Sequence, residues 1–302
     1  MRISTTWHHQ LGVNGMLDQQ VKMNQTQMKL STGKKYLTPS ENPSAASNQI
    51  DLQQNIKENE QYQVNINAAR QRLELQESGL ENATDTLQRI RELAVQGLND
   101  SNTAINRQEI AFEIDALNKH LFALANTQNA NGEYIFSGYK TNVAPFTNSS
   151  GYAYIGDSHS REIGIGPNQR TLTEGDPGDA VFGAIQTAPL TAGNLSNIFQ
   201  AVEKLSTDLK ANTPNRNSLD DLDRTLTRFA TIRASTGARL HALEQQENLN
   251  AEYILANKST ASEIGDLDYA EALSQFNLQQ ISLQAAQQAF TKVQNLSLFN
   301  YI

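Results

Sequence analysis

The sequence predicts a mainly α-helical fold: an elongated bundle of long coiled-coil-like helices that pairs the N- and C-terminal segments and carries a small β-rich insert. Three observations predict it. Apolar residues recur at heptad spacing over long stretches. The first forty and the last forty residues share one amide-rich, weakly apolar, helix-permissive character. Nine of the 17 Gly and four of the seven Pro fall between Gly138 and Gly193, an island within the helical pattern. Helices at the two ends, being poor in hydrophobes, need neighbours to bury what they have, which is the profile of an assembly subunit.

Residues 1–35 read as a Pro-free helix with Leu11, Leu17, Val21 and Met28 on one stripe and Met16, Met23 and Leu30 beside it. The unbranched, polarisable Met side chains make that surface adaptable to a partner. Gly33 follows the stripe as a C-cap signal, Pro39 and Pro43 keep the linker extended, and Asn42 is placed to cap a helix that has Pro43 in its first turn. That second helix is predicted from about residue 44 to 98. Ile66, Leu73, Leu80, Leu87 and Ala94 recur at seven, with Ala69, Ala83 and Ile90 between them. Asn99-Asp100-Ser101-Asn102 breaks it, and Ile110, Ile114, Leu117, Leu121 and Leu124 mark a third helix.

Within the Gly/Pro island, Tyr152-Ala153-Tyr154-Ile155 and Glu162-Ile163-Gly164-Ile165 alternate with turn residues, which predicts hairpins. Tyr152, Tyr154 and Phe182 are expected to form the insert's own small core. Helical pattern resumes with Leu195, Ile198, Val202, Leu205 and Leu209, then with Leu219, Leu222, Leu226, Phe229, Thr236, Leu240 and Leu243. A last helix is expected from about 267 onward, carrying Leu267, Ala270, Leu273, Phe276, Leu283 and Phe290. Gln280 and Gln287 interrupt its seam, and such polar seam positions lower stability while fixing register. The expected division is a terminal polymerisation region (1–43 and 262–302), a helical core (44–138 and 194–261) and an inserted outer domain (139–193).

Composition narrows the function. Hydrophobic residues make up 38% of the 302, against a norm of roughly 45–50% that also counts Gly. The difference is made up by 28 Gln and 30 Asn, which together outnumber the 56 charged residues and sit within helical periodicity. A net charge of −8 without a basic run argues against nucleic acid, whose binding rests on phosphate neutralisation. The absence of Cys excludes disulfides, thiol catalysis and Cys-based zinc sites. The start carries no apolar stretch of secretory-signal type, and the longest apolar run, Leu121 to Ala125, is far short of the ~20 residues of a membrane span.

No chemical motif emerges. His8, His9, His120, His159 and His241 include no pair at the spacing that sets two zinc ligands on one helix face, and His241 with Glu244 reads as a surface hydrogen bond. Gly164-Ile165-Gly166 is followed by Pro167, which makes it a turn. Asp220, Asp221 and Asp223 read as first-turn residues that complement a helix dipole. No enzyme, cofactor or metal is expected.

Leu30-Ser31-Thr32-Gly33-Lys34-Lys35 with Pro39-Ser40-Glu41-Asn42-Pro43 resembles the N-terminal signature of the bacterial flagellin family. Leu87-Gln88-Arg89-Ile90-Arg91-Glu92-Leu93-Ala94-Val95-Gln96 resembles its central helix, and Leu267 to Ala272 with Leu283-Gln284-Ala285-Ala286 resembles its C-terminal region. Asn131 to Gly138, the insert pattern Tyr154-Ile155-Gly156-Asp157, and the ending Ser297-Leu298-Phe299-Asn300-Tyr301-Ile302 are more similar to junction subunits of the family than to its filament subunits. The resemblance implies a secreted axial subunit of the flagellum, exported without a cleaved signal. It would form a ring with its own copies between a hook-side junction protein and flagellin, served by a flagellar export chaperone, with no nucleic acid and no membrane partner. The alternative within the family is a filament-forming flagellin. The expected assembly residues are Leu11, Leu17, Val21, Met28, Leu283, Phe290, Leu296, Leu298, Phe299, Tyr301 and Ile302.

Overall fold

A computed structural model describes residues 2–149, 151–183 and 196–295. Among the described residues, seven helices and four short strands follow in order: α1 (Arg2–Thr32), α2 (Pro43–Gly97), α3 (Ala104–Ala125), β1 (Phe146–Thr147), β2 (Ala153–Tyr154), β3 (Glu162–Gly166), β4 (Arg170–Thr173), α4 (Gly178–Phe182), α5 (Ile198–Lys210), α6 (Asn217–Gly265) and α7 (Tyr269–Asn295). The chain forms two compact units, one of residues 1–58 and 252–302, the other of residues 59–251. The helix α2, 55 residues long, spans about 80 Å at 1.5 Å per residue.

Helix ends fall where local chemistry puts them. Gly33 takes φ +67 and donates its N–H to Lys29 O, ending α1 with a left-handed residue. The Asn42 side chain accepts from Ala45 N at 3.1 Å and caps α2, with Pro43 in the first turn. Thr103 and Asn197 cap α3 and α5 in the same way. α6 runs without a break from Asn217 to Gly265, beyond the apolar seam that marked it in the sequence as far as Leu243. No Pro interrupts it and Gly237 is tolerated mid-helix.

The core of residues 59–251 follows the heptad. Leu80, Ala83, Leu87, Ile90 and Ala94 are fully buried and pack with Ala111, Ile114 and Leu121 of α3, Val202 and Leu205 of α5, and Phe229 of α6. A second cluster joins Ile66, Ala69 and Leu73 of α2 to Leu243 of α6 and Ile165 of β3. Two antiparallel hairpins form as expected, β1 with β2 and β3 with β4. The insert's aromatic core is not its own, however. Phe146, Tyr152 and Phe182 belong to the cluster that contains Leu87 and Phe229. The rings of Phe182 and Phe229 lie 5.5 Å apart, and those of Phe146 and Phe199 5.0 Å apart. Two-residue strands bury too little to sustain a separate core, so their aromatics insert among the helices.

Amides finish the packing. Asn65 of α2 and Asn250 of α6 donate to Gly164 O and Ile165 O at 2.8 and 2.9 Å, seating the β3–β4 hairpin on both helices. Gln76, 1% exposed, donates to Thr236 Oγ1 and to Asp176, and accepts from Asp176 N. Arg239 meets the same Asp176 carboxylate through two bonds of 2.9 Å.

Candidate assembly surface

In the unit of residues 1–58 and 252–302, α1 packs against α7. The helices run antiparallel. His9 and Phe290 stack edge-on with centroids 4.6 Å apart, Gln19 Nε2 reaches Gln279 O, and Lys34 pairs with Asp266. The covered stripe on α1 is Gly12, Met16, Gln19, Met23, Thr26 and Leu30; on α7 it is Ala272, Phe276, Gln279, Leu283, Ala286 and Phe290. Both step by four and three, the spacing of a coiled-coil seam. A Cβ at Gly12 would lie 3.0 Å from the Phe290 ring, so glycine there lets the ring seat. The seam is thin: Gln19, Thr26 and Gln279 are polar, and Gln279 Oε1 is buried without a hydrogen bond.

Leu11, Leu17, Val21 and Met28 are exposed on α1, each by half or slightly more. Leu283 and Phe290 are half-buried on the stripe that faces α1. Leu296, Leu298, Phe299, Tyr301 and Ile302 lie outside the described residues. Sequence reasoning passed over Leu278 and Ile281, both 63% exposed, and named Leu273, 51% exposed, only as a seam residue. Taking Leu283 and Phe290 as one face would have found the pair: with 3.6 residues per turn, Leu278 and Ile281 fall on the opposite side of α7.

At the base of the pair the two connecting segments cross. Lys35 N donates to Gly265 O and Leu267 N to Gly33 O, both at 2.9 Å, forming an antiparallel bridge between Lys34 and Asp266. The Asp266 carboxylate accepts from Ser262 Oγ at 2.7 Å and from Lys34 Nζ at 3.0 Å. These two partners, Ser262 first, hold it below the usual carboxylate range. A lowered carboxyl stabilises the fold above its ordinary titration range and ceases to as pH falls through its folded value. Protection of the Lys35 and Leu267 amides from hydrogen exchange should therefore hold steady from pH 8 to 5 and weaken below about pH 4. Loss of protection near neutral pH would show that Asp266 does not carry it.

Among the described residues no cluster of His, Asp and Glu could hold a metal ion. His241 and Glu244 are an exposed pair 3.5 Å apart. A cleft of about 660 Å³ between α6 and the 176–180 segment is lined by Arg224, Arg228, Asp176 and Asp179. Its Asp176 is held by Arg239, and its Arg228 donates to Ala180 O and Gly183 O, so these groups are spent on structure. No described helix is long and apolar enough to cross a membrane.

Residues 3–141 match the bacterial flagellin N-terminal helical region, and residues 219–302 the C-terminal helical region. The chain is 32% identical to flagellar hook-associated protein 3 of Escherichia coli over 99% of both chains. It belongs to the flagellar hook-associated protein 3 branch of the bacterial flagellin family. Likeness to a filament subunit of this family, the 33 kDa flagellar filament core protein of Treponema phagedenis, is lower, 25% over 85% of this chain. The fold is also that of the flagellar junction protein FlgL from Legionella pneumophila, with a TM-score of 0.58 over 72% of this chain and all of that one, at 22% identity. As a hook-associated member of the flagellin family the protein is a structural component of the flagellum, and it assembles with other flagellar parts.

Proposed function

We propose that the protein is a non-enzymatic axial subunit forming the ring that joins the hook side of the flagellum to its flagellin filament, and is thereby needed for motility. The observation that carries this reading is the end-to-end similarity to a hook-associated protein, which takes in the insert as well as both terminal regions. Its partners are its own copies, a hook-side junction protein, flagellin and an export chaperone. It leaves the cell through the flagellar channel and works outside it. The absence of Cys suits passage as an unfolded chain, since a disulfide would close a loop too wide for a narrow channel. Residues 1–43 and 262–302 are the polymerisation region, 44–138 and 194–261 the helical core, and 139–193 the outer part.

Assembly uses the faces that the α1–α7 pair leaves bare: Leu11, Leu17, Val21 and Met28 on α1, joined by Leu273, Leu278 and Ile281 on α7. Leu283 and Phe290 contribute from the seam, and the apolar Leu296, Leu298, Phe299, Tyr301 and Ile302 of the C-terminal segment join them in the proposal. These seven exposed side chains are spread over two helices, so the free protein should stay monomeric and join only where several contacts form together. Incubated alone under conditions that polymerise filament flagellins, the purified protein should give no filaments by electron microscopy. Long filaments of the protein alone would favour a filament flagellin instead.

A further inference from the structure

The α1–α7 seam is weak for its length, with polar Gln19, Thr26 and Gln279 among its twelve covered positions. Gly33 to Asn42, the link between α1 and α2, is ten residues long, enough for α1 to reach past its own α7. In a ring, identical α7 helices of neighbouring copies stand close at high effective concentration. Exchange of α1 between copies would then cost little, as in domain swapping. One feature opposes it. The Lys34–Asp266 bridge fixes the segment that follows α1 beside the segment that leads into α7, through two backbone hydrogen bonds, an ion pair of 3.0 Å and the Ser262 bond. Its geometry calls for glycine at 33, and at 265 a side chain would have to displace that of Gln49. Gly33 holds φ +67 and a Cβ on it would meet Tyr269 Oη at 2.8 Å, while a Cβ on Gly265 would meet Gln49 Nε2 at 2.5 Å.

We propose that this bridge is a clasp that commits α1 to the α7 of its own chain in one register, and so bars helix exchange between neighbouring copies during assembly. The bridge pairs Lys34 with Asp266, and 22 residues back along α1 and 24 residues on along α7 Gly12 meets Phe290, so the two contacts agree to within two residues. The clasp thereby supplies what the polar seam lacks, a fixed starting point for pairing. The inference rests on the intrachain pairing of α1 with α7 and stands whether or not the protein works at the junction.

The chain has no Cys, so introduced thiols report without background. Gln19→Cys and Gln279→Cys are placed together in one chain, and separately in two chains mixed at equal concentration, then treated with a short bismaleimide. The doubly substituted protein should give an intrachain-linked monomer, and the mixture no heterodimer above background. Lys35→Pro and Leu267→Pro each delete one bridging N–H without touching a helix interior. In their background the heterodimer yield should rise at least five-fold. The pair Lys34→Gln with Asp266→Asn removes only the ion pair and should give a smaller rise, which keeps the test open if a proline variant fails to fold by circular dichroism. Equal heterodimer yields with and without the clasp would overturn the proposal. So would heterodimer from the unmodified clasp, or no intrachain link in the doubly substituted chain.

Discussion

Replacing Leu87 by aspartate should abolish the cooperative helical melt of residues 59–251. Leu87 is fully buried at the centre of the α2 heptad, in the cluster that holds helices α2, α3, α5 and α6 together. Burying an unpaired carboxylate costs several kcal/mol, and the lost leucine packing adds about 2–5. Together these rival the ~5–15 kcal/mol of a whole domain. Val95→Asp on the same helix, at a position 50% exposed, should move the melt by little. A Leu87→Asp protein that melts like the parent would show that the heptad of α2 is not the core.

Removing the Phe182 ring should cost about 3–5 kcal/mol, a fall in melting temperature on the order of 10 °C for a unit of this size. Phe182 comes from the five-residue helix α4, yet its ring lies 5.2 Å from Phe136, 5.9 Å from Phe146, 5.6 Å from Phe199 and 5.5 Å from Phe229. The last two belong to α5 and α6. Phe182→Ala therefore opens a cavity where insert and helices meet. Its exposed counterpart Phe112→Ala should change stability far less. Unchanged melting in Phe182→Ala would mean that the insert packs independently of the helices.

What the sequence made legible was whatever a repeat distance encodes. The seven-residue spacing of Ile66, Leu73, Leu80 and Leu87 placed a long α2, and all four are fully buried. Asn42, Pro43 and Gly33 marked helix ends because capping is decided within a few residues. The long-range partners were not legible. Tyr152 and Phe182 are separated in sequence from Phe229, and no local pattern says that they share one core. Nor was it legible which amides serve the interior. Gln76, Asn118, Gln246 and Asn250 are at most 3% exposed: Gln76 bonds Asp176, Asn118 ties α3 to α5, and Gln246 bonds Asn250, which holds the β3–β4 hairpin. A buried amide and a solvated one look alike in sequence, and only the partner tells them apart.

On the candidate surface the two terminal helices were foreseen. Leu11, Leu17, Val21 and Met28 are exposed on α1. Leu283 and Phe290, expected both in the seam of the last helix and among the assembly residues, sit on the stripe against α1. Periodicity fixes which residues share a face and leaves open which of two apolar faces turns inward. That choice was made by Gly12, whose missing side chain receives the Phe290 ring.

The junction role meets its most direct test in a strain lacking this protein, viewed by electron microscopy with the culture medium assayed for flagellin. The expected result is a non-motile cell bearing hooks without filaments, with flagellin shed into the medium, and filaments restored by the intact gene. Normal filaments on the hooks of the deletion strain would contradict the account, because a subunit that joins hook to filament cannot be missing while the filament stays attached.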